Sequence, residues 1–226
     1  MFFQTRGPAM PTPDAALPGR PDPIMEPGLH HVNGRPIGGP YPDGFEIADF
    51  AFGCFWGAEK VFWQTSGVWV TAVGYQGGFT PNATYREACS GKTGHAEAVR
   101  VVFDPTVVTY EELLRVFWED HDPTQVMRQG NDVGTQYRSA IFPHSDAQRH
   151  AAIAARDAYQ EQLTASGFGR ISTEITNGQT PEFFFAEDYH QQYLSKNTGP
   201  SAYCPDHRTG VKMPDDFVVT PLQYVD

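Results

Sequence analysis

The sequence predicts an α+β fold in which a sheet of split βαβ topology is covered by helices. Two observations predict it: apolar runs of strand length alternate with segments of helical periodicity, and capping motifs or glycines mark the helix ends. The chain has 226 residues, of which 40% are hydrophobic and 19% charged, so it can bury a full core. We expect a Pro/Gly-rich arm over residues 1–44, a folded domain over 45–196 and an irregular tail over 197–226.

The first predicted elements lie on either side of a cysteine. Residues 45–52 have the composition of a buried strand, which ends at Gly53 and Cys54. Apolar side chains then recur at helical spacing until Gly67 stops the helix. The segments that follow are a strand over 68–73, a loop of turn residues over 77–94 and a strand over 96–103. The loop is longer than a plain connection requires.

Two further helices begin at capping motifs. Thr109 with Glu112 forms a capping box, and Ser145 with Gln148 repeats it before an Ala-rich helix. Further strands are predicted over 137–142 and 171–176. The resulting order is βαββαβ, then αβ and a tail, which suits a ferredoxin-like two-layer α/β sandwich with long loops and irregular extensions at both ends.

The charge balance excludes two classes of partner. The 27 acidic and 16 basic side chains give a formal net charge of -11, so the long-range field repels nucleic acid and anionic lipid. The first residues do not resemble a signal peptide, and no apolar run reaches the roughly 18 residues of a membrane-spanning helix. We therefore expect a cytoplasmic protein and, by default, a monomer.

Three cysteines are present, and they cannot all pair within one chain. A domain of this size needs no disulfide to hold its core, so a reducing compartment fits best. Cys54 follows a strand and precedes a helix, where the first-turn N–H groups point at its sulfur and favour thiolate over thiol. From this position alone, a nucleophile and a residue that merely ends a core strand are equally good interpretations.

The residues around Cys54 distinguish these interpretations. The pentapeptide Gly53-Cys54-Phe55-Trp56-Gly57 resembles the signature of the A-type peptide methionine sulfoxide reductases. The similarity extends over roughly residues 45 to 204, and parts of the arm resemble an extension found in some bacterial members. Further matching motifs are TYRE over 84–87, GHAEAV over 94–99, HDP over 121–123, GTQYRS over 134–139 and HQQYL over 190–194.

The resemblance implies reduction of methionine (S)-sulfoxide, free and in oxidised proteins, and hence a role in repair of oxidative damage. Cys54 would attack the sulfoxide sulfur while Glu97 protonates the departing oxygen, because an unprotonated oxide is a poor leaving group. The hydroxyls of Tyr85 and Tyr137 would hold that oxygen. The other pocket positions implied are Phe55 and Trp56, as an apolar wall for the S-methyl group, with Asp132, His190 and Tyr193.

Attack leaves Cys54 as a sulfenic acid. A second thiol must then condense with this sulfenic acid to form a disulfide. Cys204, in the irregular tail, is the candidate for this resolving step. Many family members have another recycling cysteine after this one, whereas this sequence has none. The Cys54–Cys204 disulfide is therefore expected to pass directly to thioredoxin, a glutaredoxin-like protein or a low-molecular-weight thiol, without any other cofactor. Cys89 is expected to be structural.

Three other functions fit parts of the sequence. Cys204 and His207 have a C-x-x-H spacing, but the remaining cysteines lie in other motifs, so no metal site is expected. A catalytically silent redox sensor would keep Cys54 without needing Glu97 and the two tyrosines. A peroxide-reducing thiol enzyme would not need a methyl-sized aromatic pocket beside its nucleophile.

Overall fold

The expected βαββαβ order forms the centre of a six-stranded sheet in a computed structural model, which describes residues 7–199 and 207–219. The strands are β1 (Glu46–Phe52), β2 (Val68–Gln76), β3 (Ala96–Phe103), β4 (Arg128–Gln129), β5 (Asp132–Val133), β6 (Ser139–Phe142), β7 (Glu174–Ile175) and β8 (Phe183–Phe185). The α-helices are α1 (Phe55–Trp63), α2 (Tyr85–Cys89), α3 (Tyr110–Glu119), α4 (Asp146–Ala165) and α5 (Tyr193–Lys196). None of these described helices is both long and apolar enough to cross a membrane.

The strand order in the sheet is β7-β6-β1-β3-β2-β8. The four central strands pair antiparallel, and β1 and β3 lie in the middle. This is the split βαβ arrangement, since each of the two βαβ units leaves room for a strand of the other. The predicted α+β class with a ferredoxin-like sheet is therefore confirmed. Strand β7 extends the sheet parallel to β6, and β8 extends it antiparallel to β2.

The two faces of the sheet are covered differently. Successive side chains of β1 point to opposite faces, so Phe50 and Ala51 belong to different apolar clusters. Helices α1, α3 and α4 pack on the first face, where Phe50 stacks on Phe62 and Phe117 with ring centroids 5.1 and 5.4 Å apart. On the second face Ile37 of the arm is only 2% exposed. The arm thus takes the place of a helix layer there.

Several contacts hold the described part of the arm on the domain. The Arg35 guanidinium lies 3.6 Å from the centre of the Trp69 ring, a cation–π distance. Arg20 forms an ion pair with Glu87 at 2.8 Å. The domain boundaries at residues 44 and 196 stay a prediction.

The structure differs from the sequence prediction in several local features. Tyr137 ends a 3-10 helix, Thr135–Tyr137, and the strand begins only at Ser139. The Ser145 hydroxyl accepts the Gln148 N–H, but the Gln148 side chain accepts the His144 N–H, so the second capping box is incomplete. Helix α2, the β4–β5 hairpin and β8 were not expected, because each is too short to show a periodicity.

Candidate active site

Cys54 lies where β1 ends and α1 begins. Gly53 has φ +95°, and a Cβ at this position would lie 2.8 Å from the Gln129 side chain, so only glycine fits the turn. Cys54 is the N-cap of α1 and is partly exposed. The sequence predicts that the first-turn N–H groups point at the Cys54 sulfur. In the structure, however, the Cys54 side chain accepts no capping hydrogen bond.

Glu97 on β3 accepts that first-turn donor instead. Its Oε2 atom receives the Phe55 N–H at 3.0 Å, and the residue is 2% exposed. A carboxylate accepts hydrogen bonds more strongly than a thiol does, which explains why it takes the donor at the helix N-terminus. The bond places a buried carboxyl group next to the residue that follows Cys54.

Tyr85 and Tyr137 bring two phenol hydroxyls to the same site. Tyr85 is the first residue of α2, where Thr84 and Glu87 form a capping box. Burial raises the pKa of both phenols, and the negative charge of Glu97 raises each pKa further. Both hydroxyls are therefore protonated donors at neutral pH. The Cys54 charge also raises the pKa of Tyr137, so the four side chains predicted to carry the chemistry share one region.

An aromatic wall, formed by Phe55, Trp56, His190 and Tyr193, borders this region. Phe55 is 1% exposed, and its ring centroid lies 5.1 Å from that of His190. Trp56 stacks on Tyr193 with centroids 3.8 Å apart and an interplanar angle of 11°. The Trp56 Nε1–H donates to His190 Nδ1 at 3.0 Å. The structure thus brings together four of the five predicted pocket residues.

His190 is a neutral member of this wall. Burial lowers its pKa to about 4. Since Nδ1 accepts from Trp56, the ring proton is assigned to Nε2. Within the described residues Nε2 makes no hydrogen bond, and Glu187 Oε2 lies 3.9 Å away. His190 is therefore not a general acid near pH 7.

Glu187 contributes to the site and was missed by the sequence analysis. Its Oε2 accepts the Tyr75 hydroxyl and its Oε1 accepts the Tyr85 N–H, both at 2.9 Å. The carboxylate thereby fixes the start of α2, which presents Tyr85. Only its spacing of three residues before His190 is visible in the sequence, and that spacing has no distinctive meaning.

Asp132 lies close to Cys54. It belongs to β5 and lines a small cavity together with Cys54, Gln129 and His207. Its charge also raises the pKa of Tyr137, after burial and the charges of Glu97 and Cys89. The predicted resolving residue, Cys204, lies outside the described residues.

Cys89 lies at the end of α2, one turn after Tyr85. The residue is exposed, but its thiol is hydrogen-bonded to the Tyr85 side chain. Partial burial raises the pKa of the thiol and outweighs the hydrogen bond with Tyr85, which lowers it, so the thiol is a poor nucleophile at neutral pH. Across residues 7–199 and 207–219, no group of three or more His, Cys, Asp or Glu side chains is arranged to hold a metal ion.

Comparison with known proteins gives the family. The family profile described as peptide methionine sulfoxide reductase matches residues 46–214. The chain belongs to this family. It is 63% identical over 215 residues to a peptide methionine sulfoxide reductase MsrA of Streptomyces griseus, with 95% of this chain and 96% of the relative covered. The MsrA of Azorhizobium caulinodans is 58% identical over 214 residues, with 95% and 96% covered.

Solved structures of the family have the same fold. Methionine sulfoxide reductase A of Corynebacterium diphtheriae superposes with a TM-score of 0.81 at 49% identity, covering 92% of this chain and 100% of that one. Reduced Mxr1 of Saccharomyces cerevisiae gives a TM-score of 0.64 at 33% identity, covering 77% and 95%. The resemblance inferred from the motifs is confirmed, and so is the expected enzyme class, an oxidoreductase that acts on methionine sulfoxide.

Proposed function

We propose that this chain reduces the S epimer of methionine sulfoxide, free and in proteins, with Cys54 as the nucleophile. One observation supports the roles of Cys54 and Glu97: both residues lie at the first turn of α1. Cys54 is its N-cap, and the Phe55 N–H that follows is bonded to the buried Glu97 carboxyl group at 3.0 Å. A nucleophile and a proton donor are thus adjacent, which is what sulfoxide reduction requires.

The first step transfers the sulfoxide oxygen to cysteine. The Cys54 thiol gives its proton to the Glu97 carboxylate, and the thiolate sulfur attacks the sulfoxide sulfur. Glu97 passes this proton to the oxygen, which leaves with the cysteine as sulfenic acid while methionine is released. One thiol and one sulfoxide become one sulfenic acid and one sulfide, so the step is balanced. The raised pKa values of Tyr85 and Tyr137 keep their hydroxyls protonated to donate to the oxygen.

The aromatic wall would bind the S-methyl group. Phe55 and Trp56 follow the nucleophile directly, and His190 and Tyr193 fix the Trp56 ring through a hydrogen bond and a stacking contact. A neutral His190 suits an apolar methyl group better than an imidazolium would. Asp132 is proposed to act beside Cys54 and Tyr137.

Regeneration would use Cys204. Its thiol condenses with the Cys54 sulfenic acid, which forms the disulfide and releases water. His207, which lines the same cavity as Cys54, comes three residues after Cys204 in the sequence. Thioredoxin is the proposed reductant, and we place the reaction in the cytoplasm, a reducing compartment.

The test is a single turnover without added reductant. Reduced protein is incubated separately with the S and R epimers of an N-capped methionine sulfoxide, and methionine is counted for wild type, Cys54→Ser and Cys204→Ser. We expect about one methionine per enzyme from the S epimer alone, with a disulfide in wild type and sulfenic acid in Cys204→Ser. Absence of methionine from either epimer, with Cys54 still reduced, would contradict the proposed function.

A further inference from the structure

Gln192 has an unusual backbone conformation inside the segment that supplies half of the aromatic wall. It lies between His190 and Tyr193, is fully buried, and has φ +47° in the left-handed region. A residue other than glycine adopts this conformation at a cost of about 1–3 kcal/mol and keeps it only where its surroundings fix it. The groups that fix Gln192 therefore determine where His190 and Tyr193 lie.

A buried carboxylate on α1 holds Gln192 from one side. Glu59, which is 0% exposed, accepts the Gln192 N–H at 2.8 Å and its side-chain Nε2–H at 2.6 Å. The Thr71 hydroxyl donates to the same carboxylate at 3.0 Å, and the His30 Nε2 atom lies 2.9 Å from that hydroxyl. With these donors the carboxylate is bonded entirely within the protein and cannot reach a substrate directly.

The N-terminal arm holds Gln192 from the other side. The His31 N–H donates to Gln192 Oε1 at 3.0 Å, and the His31 ring contacts Ser195 Oγ at 2.9 Å. The backbone N–H and both side-chain polar atoms of this one residue are thus engaged by α1 or by the arm, while its carbonyl oxygen accepts the N–H groups of Ser195 and Lys196. We call Glu59, His31 and Gln192 the Gln192 clamp.

The clamp and the aromatic wall are connected through helix α1, which carries Glu59 of the clamp and Trp56 of the wall. Glu59 follows Trp56 by three residues, a spacing that puts both on the same side of α1. Trp56 contacts His190 and Tyr193, and Glu59 contacts the Gln192 between them. A shift of Gln192 would therefore move both rings relative to Trp56.

We propose that Glu59 and His31 are positioning residues, which act through Gln192 to set His190 and Tyr193 against Trp56, so that the N-terminal arm is part of the substrate-binding structure. The inference rests on the proposed function for its effect on substrate. It also has a structural consequence that does not depend on activity, because the clamp determines the hydrogen bond between the Trp56 indole and His190.

The direct test is Glu59→Gln in the full chain. The Gln192 backbone N–H and side-chain Nε2–H bond different oxygens of Glu59, and a glutamine places an NH2 group where one of these oxygens lies, so one of the two donors loses its acceptor. We expect KM for an N-capped methionine (S)-sulfoxide to rise about tenfold, with the single-turnover rate at saturation changed less than about threefold, because substrate binding is affected more than chemistry. The Trp56 indole resonance in a nitrogen–proton correlation spectrum should shift as well.

The reciprocal exchange Glu59→Gln with Gln192→Glu provides a rescue. The amide oxygen at 59 accepts the backbone N–H of 192, its amide group donates to the new carboxylate, and that carboxylate accepts the His31 N–H. KM and the indole resonance should return toward wild type. A rescue of this kind is not expected if Glu59→Gln merely loosens the fold, and it keeps the test decisive if the single variant folds poorly.

The arm is tested with a matched pair of variants. His31→Pro removes the N–H that donates to Gln192, so KM should rise about threefold. Arg35→Ala removes the guanidinium contacts with Trp69, leaves the Asn33 bond to the Trp69 carbonyl oxygen in place and touches no residue of the clamp, so KM should not change. An unchanged KM and an unchanged indole resonance in folded Glu59→Gln, while wild type still produces methionine, would overturn the proposal. Failure of the proposed function would give a distinguishable result, because wild type itself would then produce no methionine.

Discussion

Glu97 accepts the first N–H of α1, that of Phe55, at 3.0 Å. The bond anchors the carboxyl group beside the proposed nucleophile, Cys54, which is the N-cap of α1 but makes no side-chain capping hydrogen bond. A proton donor held in this way needs no reorganisation when the substrate arrives, which is the usual advantage of a preorganised site. At the residue scale, the proposed chemistry therefore depends on Glu97 accepting the backbone N–H of Phe55.

Replacing Glu97 with Gln should slow the first step and leave the fold intact. The amide oxygen can still accept the Phe55 N–H, but the amide cannot supply an acidic proton. We expect the single-turnover rate with the S epimer to fall about 100- to 10,000-fold. Rapid-quench measurement of methionine gives the rate, and alkylation of Cys54 checks that the thiol is still accessible. A rate within about threefold of wild type would mean that Glu97 is not the acid.

The elements that bring these residues together meet at tight connections. Gly53 turns the chain from β1 into α1, with φ +95° and the Gln129 side chain close to its missing Cβ. The capping box of Thr84 and Glu87 begins α2 and so places Tyr85. Glu187, just before the 3-10 helix Asp188–His190, then bonds the Tyr85 N–H. At the element scale, the site depends on where helices begin.

Gly53→Ala tests this dependence, with Gly169→Ala as the matched control. An alanine at 53 must adopt a left-handed conformation and displace Gln129, so we expect a loss of about 1–3 kcal/mol in the free energy of unfolding, or more. Gly169 is exposed, and a Cβ there meets nothing within 4 Å. Its substitution should change stability by less than about 1 kcal/mol. Urea unfolding compares the two, and equal values for both variants would contradict the turn argument.

At the scale of the whole molecule, buried histidines make stability depend on pH. Burial lowers the pKa of His30, His121 and His190 from 6.5 to about 4. Because the unfolded chain binds these protons first, each histidine lowers the free energy of unfolding as the pH falls from 6.5 towards 4. Glu59 affects stability in the opposite direction, because burial raises its pKa from 4.5 to about 7. Its contribution to the free energy of unfolding is present below pH 4.5 and is lost as the pH rises through 7.

His121→Gln isolates one of these contributions. His121 is 1% exposed, with Nδ1 bonded to the Phe117 carbonyl oxygen and Nε2 to Ser139 Oγ. Between pH 7 and 4, wild type should lose on the order of 3 kcal/mol more stability than the variant, while the Glu59 contribution cancels in the difference. Urea unfolding at a series of pH values measures this difference. Parallel pH profiles for the two proteins would show that His121 does not titrate as expected.

The sequence by itself determined the fold class and the family. Strand composition, helical spacing and the Thr109–Glu112 capping box act over a few residues, and contiguous motifs around Cys54 and Glu97 identify the family without any folded structure. Short elements such as β8 and the β4–β5 hairpin lack enough residues for a pattern, so they were not predictable.

Only the tertiary structure decided which groups support the site. The bond from Phe55 to Glu97 joins residues 42 apart, and the bond from Gln192 to Glu59 joins residues 133 apart. The roles of Glu187, Glu59 and the arm depend on such contacts, and no local pattern contains them. Helix starts and strand patterns are set by neighbouring residues, whereas a hydrogen bond between distant residues forms only where packing of the elements brings donor and acceptor together.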